Sequence, residues 1–288
     1  MPERDQPTIN FLSTNVTNPF SSIAQFAGSG LSAKTVARSQ LLRPYPQFTQ
    51  INVTVPTGYS YYHALQVQVE KRFSHGLMFQ AAYTYSRFME ATDYLNPTDS
   101  FLEKVVSDQD YPQRFVVTGV YELPFGRGRR VGSNANRLWD AMFGGWQIEG
   151  WYEGQAGAPL GFGDALFRGD LKNIPLPKDQ RSADAWFNVN AGFERNTANA
   201  LGSNLQTFPT RFTGVRADGI NNLDASFFKN FRLTERFKLQ FRLESYNALN
   251  HVQFAAPNTS PLSTTFGQIT GELGHGQKMT TIALKFLF

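Results

Sequence analysis

The sequence has no cysteine, and this absence excludes disulfide bonds and thiolate metal sites. No apolar run approaches the ~20 residues that a membrane-spanning helix needs. The formal charge of +4 is spread along the chain without a basic block, which excludes the concentrated patch expected of nucleic-acid binding. The N-terminal segment MPERDQPTIN has no apolar export signal. If the protein is exported, we expect its signal on upstream sequence.

Aromatic and turn-forming residues are abundant. The chain has 26 Phe, 11 Tyr, 24 Gly and 15 Pro, a mixture typical of many strands joined by turns. Residues 1–61 are rich in loop-forming residues, and we predict there only a short helical turn over 32–42 and a weak strand over 47–55. A regular pattern begins at residue 62.

The last stretch of the chain, QKMTTIALKFLF, alternates strictly between two faces. Ile282, Leu284, Phe286 and Phe288 share one face, and Met279, Thr281, Ala283, Lys285 and Leu287 share the other. A period of two over this length predicts a strand whose faces meet different surroundings. The same period predicts six further strands, over residues 62–73, 77–88, 115–123, 146–155, 222–233 and 237–249.

The connections between these strands alternate in length. Short turns follow residues 73 and 233, whereas long segments follow residues 88, 155 and 249. Short turns on one side and long loops on the other are typical of outer-membrane β-barrels, whose short turns are periplasmic. We therefore expect residues 89–111, 158–221 and 250–276 to be extracellular loops that contact ligand. The connection over 125–142 is longer than this scheme expects.

The alternative is a soluble β-rich binding or structural protein, since soluble sheets also alternate apolar and polar residues. Charges in mid-strand, strands longer than the ~5–6 residues common in soluble sheets, and aromatic residues near strand ends favour a membrane barrel with a wet interior. Lys71 and Lys229 lie on the apolar face as exceptions that snorkelling could accommodate.

Several sequence motifs resemble those of the C-terminal barrel of TonB-dependent receptors. The resemblance is greatest to the Oar-like transporters of acidobacterial type, which carry a carboxypeptidase-regulatory-like domain. The motifs are LRPYPQF (42–48), YHALQVQVEKRF (62–73), YELPFGRG (121–128), FKNF (228–231) and FRLESYNALNH (241–251). The resemblance implies a 22-stranded outer-membrane barrel, a plug that closes it, and ligand uptake driven by the TonB complex. This sequence lacks the plug and the TonB box, so transport by this chain alone is not expected.

The fold we predict is therefore all-β: an antiparallel transmembrane β-barrel, of which residues 62–288 form the C-terminal portion with about 7–8 strands. Residues 1–61 are expected to form an extracellular, loop-rich segment. The expected partners are outer-membrane lipid, the barrel-assembly machinery, and the TonB complex only through N-terminal parts that this sequence lacks. The resemblance also implies that Ile282, Leu284, Phe286 and Phe288 form the C-terminal signature recognised during membrane assembly.

No residue pattern predicts an enzyme, a cofactor or a metal site. The four histidines, His63, His75, His251 and His275, lie in or near turns and loops, without a supporting Ser or acidic partner. Asp93, Asp99, Asp108 and Asp110 share one loop and could bind calcium, but their spacing lacks the order of a known calcium loop. We expect a solvated acidic loop instead.

Overall fold

The structure is a computed structural model that describes residues 5–29, 31–48, 51–163, 165–196, 206–274 and 278–288. The chain divides into two compact units, residues 1–56 and residues 57–288. The division lies close to the predicted boundary at residue 61. Whether the first unit is an extracellular segment stays a prediction.

The first unit consists of short elements. They are helix α1 (Gln6–Ser13), strand β1 (Asn15–Thr17), a 3-10 turn (Ala24–Phe26), strand β2 (Thr35–Ala37) and helix α2 (Arg38–Leu41). The buried Asn18 side chain donates to the carbonyl oxygens of Leu31 and Ala33, at 2.7 Å each, and so fixes the connection between β1 and β2.

Two local predictions in this unit fail. The helical turn expected over 32–42 is reduced to α2, because residues 35–37 pair with β1 and tertiary pairing overrides local helix propensity. Residues 51–55, the described end of the weak strand expected over 47–55, are not in a strand.

The second unit is built on one antiparallel sheet. Its long strands are β3 (Tyr59–Ser74), β4 (Leu77–Ala91), β6 (Gln113–Glu122), β7 (Trp146–Gln155), β10 (Ile220–Arg232), β11 (Lys238–Tyr246) and β12 (Met279–Leu287). They lie side by side in chain order, and the short β5 (Val105–Val106) pairs with the end of β4. Strands β8 (Pro159–Leu160) and β9 (Phe212–Arg216) form a separate pair.

The predicted all-β, antiparallel architecture is confirmed, and each predicted crossing corresponds to one long strand. The sheet is open in the described residues, with β3 at one edge and β12 at the other. The expected fold is a portion of a larger barrel, and both the larger barrel and the number of strands in its closed wall stay predictions.

The register gives the sheet one apolar and one polar face. Directly paired residues lie on the same face, and the pairs Val117–Tyr152, Phe227–Ile148 and Leu243–Ile282 all belong to the apolar face. On this face Leu65 is 61% exposed, and Ile282 and Leu284 are 69% and 68% exposed. An apolar face this exposed needs an apolar environment outside the chain.

The short connections all lie at one end of the sheet. His75 and Gly76, with φ angles of 53° and 78°, form the two-residue turn between β3 and β4, as expected of a type I′ hairpin. Residues 233–237 connect β10 to β11. The connection from β6 to β7 at the same end contains helix α3 (Arg137–Phe143), which explains its unexpected length. None of the described helices is long and apolar enough to cross a membrane.

Candidate functional site

The long connections at the opposite end of the sheet pack around an aromatic core. The ring of Phe162 lies 5.1 Å from the rings of Phe187 and Phe208 and 5.2 Å from that of Phe193, measured between centroids. Ile174 and Val215 are fully or almost fully buried beside them. These connections, which we call the loop layer, therefore have a hydrophobic core of their own outside the sheet.

Hydrogen bonds join the first two long loops within this layer. The Asn96 side chain accepts from the Gln206 amide at 2.6 Å and donates to the Gln206 carbonyl at 3.1 Å. The Glu103 carboxylate accepts from the amide of Thr210 at 3.2 Å and from its hydroxyl at 2.6 Å. Because these partners are more than 100 residues apart in sequence, the contacts fix one loop against the other.

Asp110 is the buried ionic centre of the loop layer. Its carboxylate is fully buried and lies 2.6 Å from Nη2 of Arg216 and 3.6 Å from Nη1 of Arg87. It also accepts a 2.7 Å hydrogen bond from the amide of Phe88. Arg216 donates in addition to the carbonyls of Asp110 and Gly157, at 2.7 and 3.0 Å. Two ion pairs and their hydrogen bonds thus connect β4, β9 and two loops.

The expected solvated acidic loop is therefore wrong for Asp110. Asp93 and Asp99 accept hydrogen bonds from the nearby backbone amides of Tyr94 and Asn96, and Asp108 lies 3.9 Å from an arginine guanidinium. Within the described part of the chain, His, Asp and Glu side chains form no group of three that could hold a metal ion.

The third long loop completes the layer. The amide of Ile269 donates to the carbonyl of Ala183 at 2.7 Å, and the amide of Trp186 donates to the carbonyl of Gly267 at 2.9 Å. The Asp218 carboxylate accepts from the amide of Phe254 at 3.0 Å. All three segments predicted to contact ligand are thus brought together in one packed layer.

One loop residue carries a resolved electrostatic shift. The ammonium of Lys104 lies 5.1 Å from the ring centre of Tyr61. A hydrogen bond to the Tyr61 hydroxyl, followed by electrostatic attraction to the same group, raises the pKa of Lys104 above its usual value. This lysine therefore stays protonated throughout the neutral range.

The polar face of the sheet carries paired charges. Arg114 contacts Glu153 at 2.9 Å through Nη2 and at 3.0 Å through Nε, and Arg242 lies 3.6 Å from Glu149 and 3.3 Å from Glu244. These side chains come from β6, β7 and β11. The first pair joins the neighbouring strands β6 and β7, the second reaches from β11 to β7 across β10, and the third lies within β11. Paired charges on this side of the sheet are typical of a wet surface.

The C-terminal strand places its four predicted signature residues together on the apolar face. Ile282, Leu284 and Phe286 are paired with Leu243, Phe241 and Leu239 of β11. The ring of Phe286 stacks on that of Phe237 at 5.4 Å, and Phe288 is 95% exposed. The other edge of β12 has no strand beside it in the described sheet.

A comparison with protein families indicates which surroundings the two faces of the sheet meet. A family model described as outer membrane beta barrel domain matches residues 4–279. The chain belongs to this family. Neither the comparison with curated proteins nor that with solved structures finds a match.

As an outer-membrane β-barrel domain, the chain has a natural place for each face. The apolar face meets the lipid and the polar face turns to the wet interior. The family confirms the predicted barrel class and outer-membrane localisation, and it favours them over the soluble β-rich alternative. It does not extend to the finer resemblance to TonB-dependent receptors.

The histidines are placed separately. His75 occupies the β3–β4 turn, and His63 lies on β3 with its ring 5.4 Å from that of Tyr61. The backbone amide of His251 donates to the Asn247 side chain, whereas His275 lies outside the described residues. The three described histidines thus occupy three different parts of this barrel domain.

The sequence pattern does not predict two features of this barrel domain. The loop-layer core is signalled only by repeated Phe in a stretch without period, which does not show which rings meet. Lys229, an exception that snorkelling could accommodate, is instead 3% exposed, and its Nζ donates to the carbonyl of Ala141 at 2.6 Å. Its signal in the sequence is a lysine on an otherwise apolar strand face.

Proposed function

We propose that this chain forms part of the barrel wall of a TonB-dependent receptor-transporter related to the Oar-like proteins. The loop layer would contact the ligand outside the cell, and the polar face would line the uptake path. In this proposal the protein binds and passes a ligand and catalyses no reaction.

The observation that carries this proposal is a sheet with one lipid face, one wet face and two open edges. Backbone N–H and C=O groups at an open edge have no water to bond inside lipid, so the edges of β3 and β12 must pair with strands in the closed wall. In our proposal these partners are further strands of a larger barrel. A wall wider than the described strands agrees with the large barrels of this receptor class. The motif resemblance supplies the receptor type.

The packed loop layer supports receptor function over a simple pore. A rigid loop surface presents fixed side chains to a ligand, which reduces the entropy lost on binding. Asp110, Arg216 and the Phe162 cluster serve this rigidity in our proposal, and exposed residues around them would make the ligand contacts.

We further propose that Ile282, Leu284, Phe286 and Phe288 are recognised by the barrel-assembly machinery. Their common face, their place on an edge strand and the exposure of Phe288 support this role, because an assembly factor must reach an unpaired edge. Outer-membrane lipid would then take over the contacts of these side chains.

Two measurements test the proposal. The protein is extracted from outer membranes in mild detergent and its intact mass is determined; we expect a polypeptide well above the 32.4 kDa of this chain, because the wall needs more strands. A 32.4 kDa species that alone forms a protease-resistant barrel would overturn the larger wall. The purified periplasmic domain of TonB is then titrated onto the intact product. Saturable binding is expected, and its absence would refute TonB dependence while leaving the barrel intact.

A further inference from the structure

Helix α3 is fixed against the apolar face of the sheet at the short-turn end. The Asn136 side chain caps its first turn by accepting from the Trp139 amide at 2.8 Å. At its other end, the Lys229 ammonium of β10 donates to the carbonyls of Ala141 and Asp140, at 2.6 and 3.3 Å. A buried lysine that satisfies helix-end carbonyls ties the helix to the sheet.

The opposite side of α3 is exposed and apolar. Leu138 and Met142, one turn apart, are 78% and 63% exposed. Since α3 lies on the lipid side of the sheet and near its periplasmic end, these side chains face the interface region of the bilayer. A short helix with this arrangement lies in the membrane surface, as interfacial amphipathic helices do.

An apolar groove lies between α3 and the sheet. It has a volume of about 460 Å³ and is lined by Leu123, Phe125, Trp139, Phe143, Trp146, Phe227, Phe241 and Leu243. All of these side chains are apolar or aromatic, and the volume falls within the roughly 300–1,000 Å³ of small-molecule sites. Such a groove excludes polar ligands and accepts hydrocarbon.

A basic cleft of about 620 Å³ lies beside the same helix, and Phe125 lines both spaces. Its lining includes the basic residues Arg127, Arg129, Arg137, Lys229 and Arg232 and the acidic residue Asp140. Of these, Arg232 belongs to the polar face of β10.

Only part of this positive charge is already neutralised. Arg129 pairs with Glu122 at 2.8 Å, and Asp140 accepts a hydrogen bond from the backbone amide of residue 127. Among the described residues, the guanidinium groups of Arg127, Arg137 and Arg232 form no ion pair. The cleft thus keeps an excess of positive charge next to a hydrocarbon-accepting groove.

We propose that groove and cleft together bind one anionic phospholipid of the periplasmic leaflet. An acyl chain occupies the groove, and the phosphate contacts Arg127 and Arg137, because guanidinium groups match phosphate oxygens in geometry and charge. The two spaces meet at Phe125, as the two parts of an amphipathic lipid require. The inference rests on the outer-membrane family and is independent of the proposed transport function.

Native mass spectrometry of the intact, delipidated protein in detergent tests this site. Phosphatidylglycerol and phosphatidylethanolamine with identical acyl chains are titrated separately, and inorganic phosphate is added as a competitor. We expect phosphatidylglycerol to bind with a stoichiometry of one and more tightly than phosphatidylethanolamine, with little competition from phosphate. Equal binding of both lipids, or displacement by inorganic phosphate at millimolar concentration, would overturn the proposal.

Variants identify the residues. Replacing Arg127 and Arg137 together by Gln should weaken phosphatidylglycerol binding by roughly 30-fold, because each basic residue near an anionic lipid surface contributes about fivefold. Arg130→Gln is the matched control, since Arg130 is exposed in the same connection but lines neither space. If the double variant does not fold, the two single variants replace it. Unchanged binding in folded variants, or an equal loss with Arg130→Gln, would refute the assignment.

Discussion

Placing one arginine on either face of the same strand tests the assignment of the two faces. Ala225 and Ser226 are neighbours near the middle of β10, and both are partly buried small residues. Ala225 lies on the apolar face, opposite Gly150 and Ser245. Ser226 lies on the polar face. The two substitutions therefore add the same side chain at the same depth and differ only in its surroundings.

The expected magnitudes follow from these surroundings. An arginine on the lipid face near the bilayer midplane costs about 2–4 kcal/mol, so Ala225→Arg should lower the folding equilibrium constant by roughly 30- to 1,000-fold. Ser226→Arg places the guanidinium opposite Glu149 and Glu244, which Arg242 already contacts. A shared, hydrated ion pair contributes little, and we expect a change within about 0.5 kcal/mol.

The assay is urea unfolding from phospholipid vesicles, followed by tryptophan fluorescence, together with the protein level in outer-membrane fractions. With a slope of about 1–3 kcal/mol per molar urea, Ala225→Arg should shift the midpoint down by about 0.7–4 M. Ala225→Leu serves as the control for added bulk and should leave the midpoint almost unchanged. If Ser226→Arg destabilises the protein as much as Ala225→Arg, the assignment of the lipid face is refuted.

Three further predictions concern other parts of the molecule. Asp110→Asn removes the buried charge that faces two arginines and should destabilise the loop layer by about 3–5 kcal/mol, which limited proteolysis would detect as new cleavage in the loops. Asp108→Asn, at an exposed carboxylate, is the control and should change little. Equal cleavage in both variants would contradict the role of Asp110. Gly76 and Gly128 both have a positive φ, but an alanine Cβ at residue 76 would lie 3.2 Å from the carbonyl oxygen of Glu122, whereas one at residue 128 would meet nothing within 4 Å. Gly76→Ala should therefore lower the urea midpoint more than Gly128→Ala. The reverse order would refute the contact argument. Deletion of Phe288 should reduce outer-membrane levels and leave loop protease resistance unchanged, and undiminished levels would rule out its assembly role.

The strands could be predicted because each one separates two environments. In β11, apolar and polar residues alternate from Lys238 to Glu244, and β10 and β12 keep the same period with exceptions such as Phe228, Lys229 and Leu287. A period of two therefore gives both the strands and their register. The face of β6 that carries Val116 and Val120 is less polar, yet this strand also forms where expected. Length and turn chemistry supplied the remainder, as at His75 and Gly76.

The loop layer could not be predicted in the same way. Phe162 contacts Phe266, at 6.4 Å between ring centres, although about 100 residues separate them. Such contacts have no period, because the chain that carries them is neither helix nor strand. The sequence predicts that these segments are long and extracellular, but the choice of partners depends on packing in three dimensions.

Lys229 shows how an exception in the pattern can indicate a site. A lysine on the lipid face is costly unless its charge has partners, and a solitary snorkelling lysine would need to lie at the edge of the bilayer. Instead, the ammonium donates to carbonyl oxygens near the C-terminal end of α3. The sequence pattern does not predict this helix, because its seven residues are too few to establish a helical period. The lysine therefore required a partner, and the long connection supplied it. The lysine on the apolar face of β10 and the long connection between β6 and β7 both depart from the barrel pattern, and the contact between Lys229 and α3 explains both departures. This contact lies beside the apolar groove and the basic cleft.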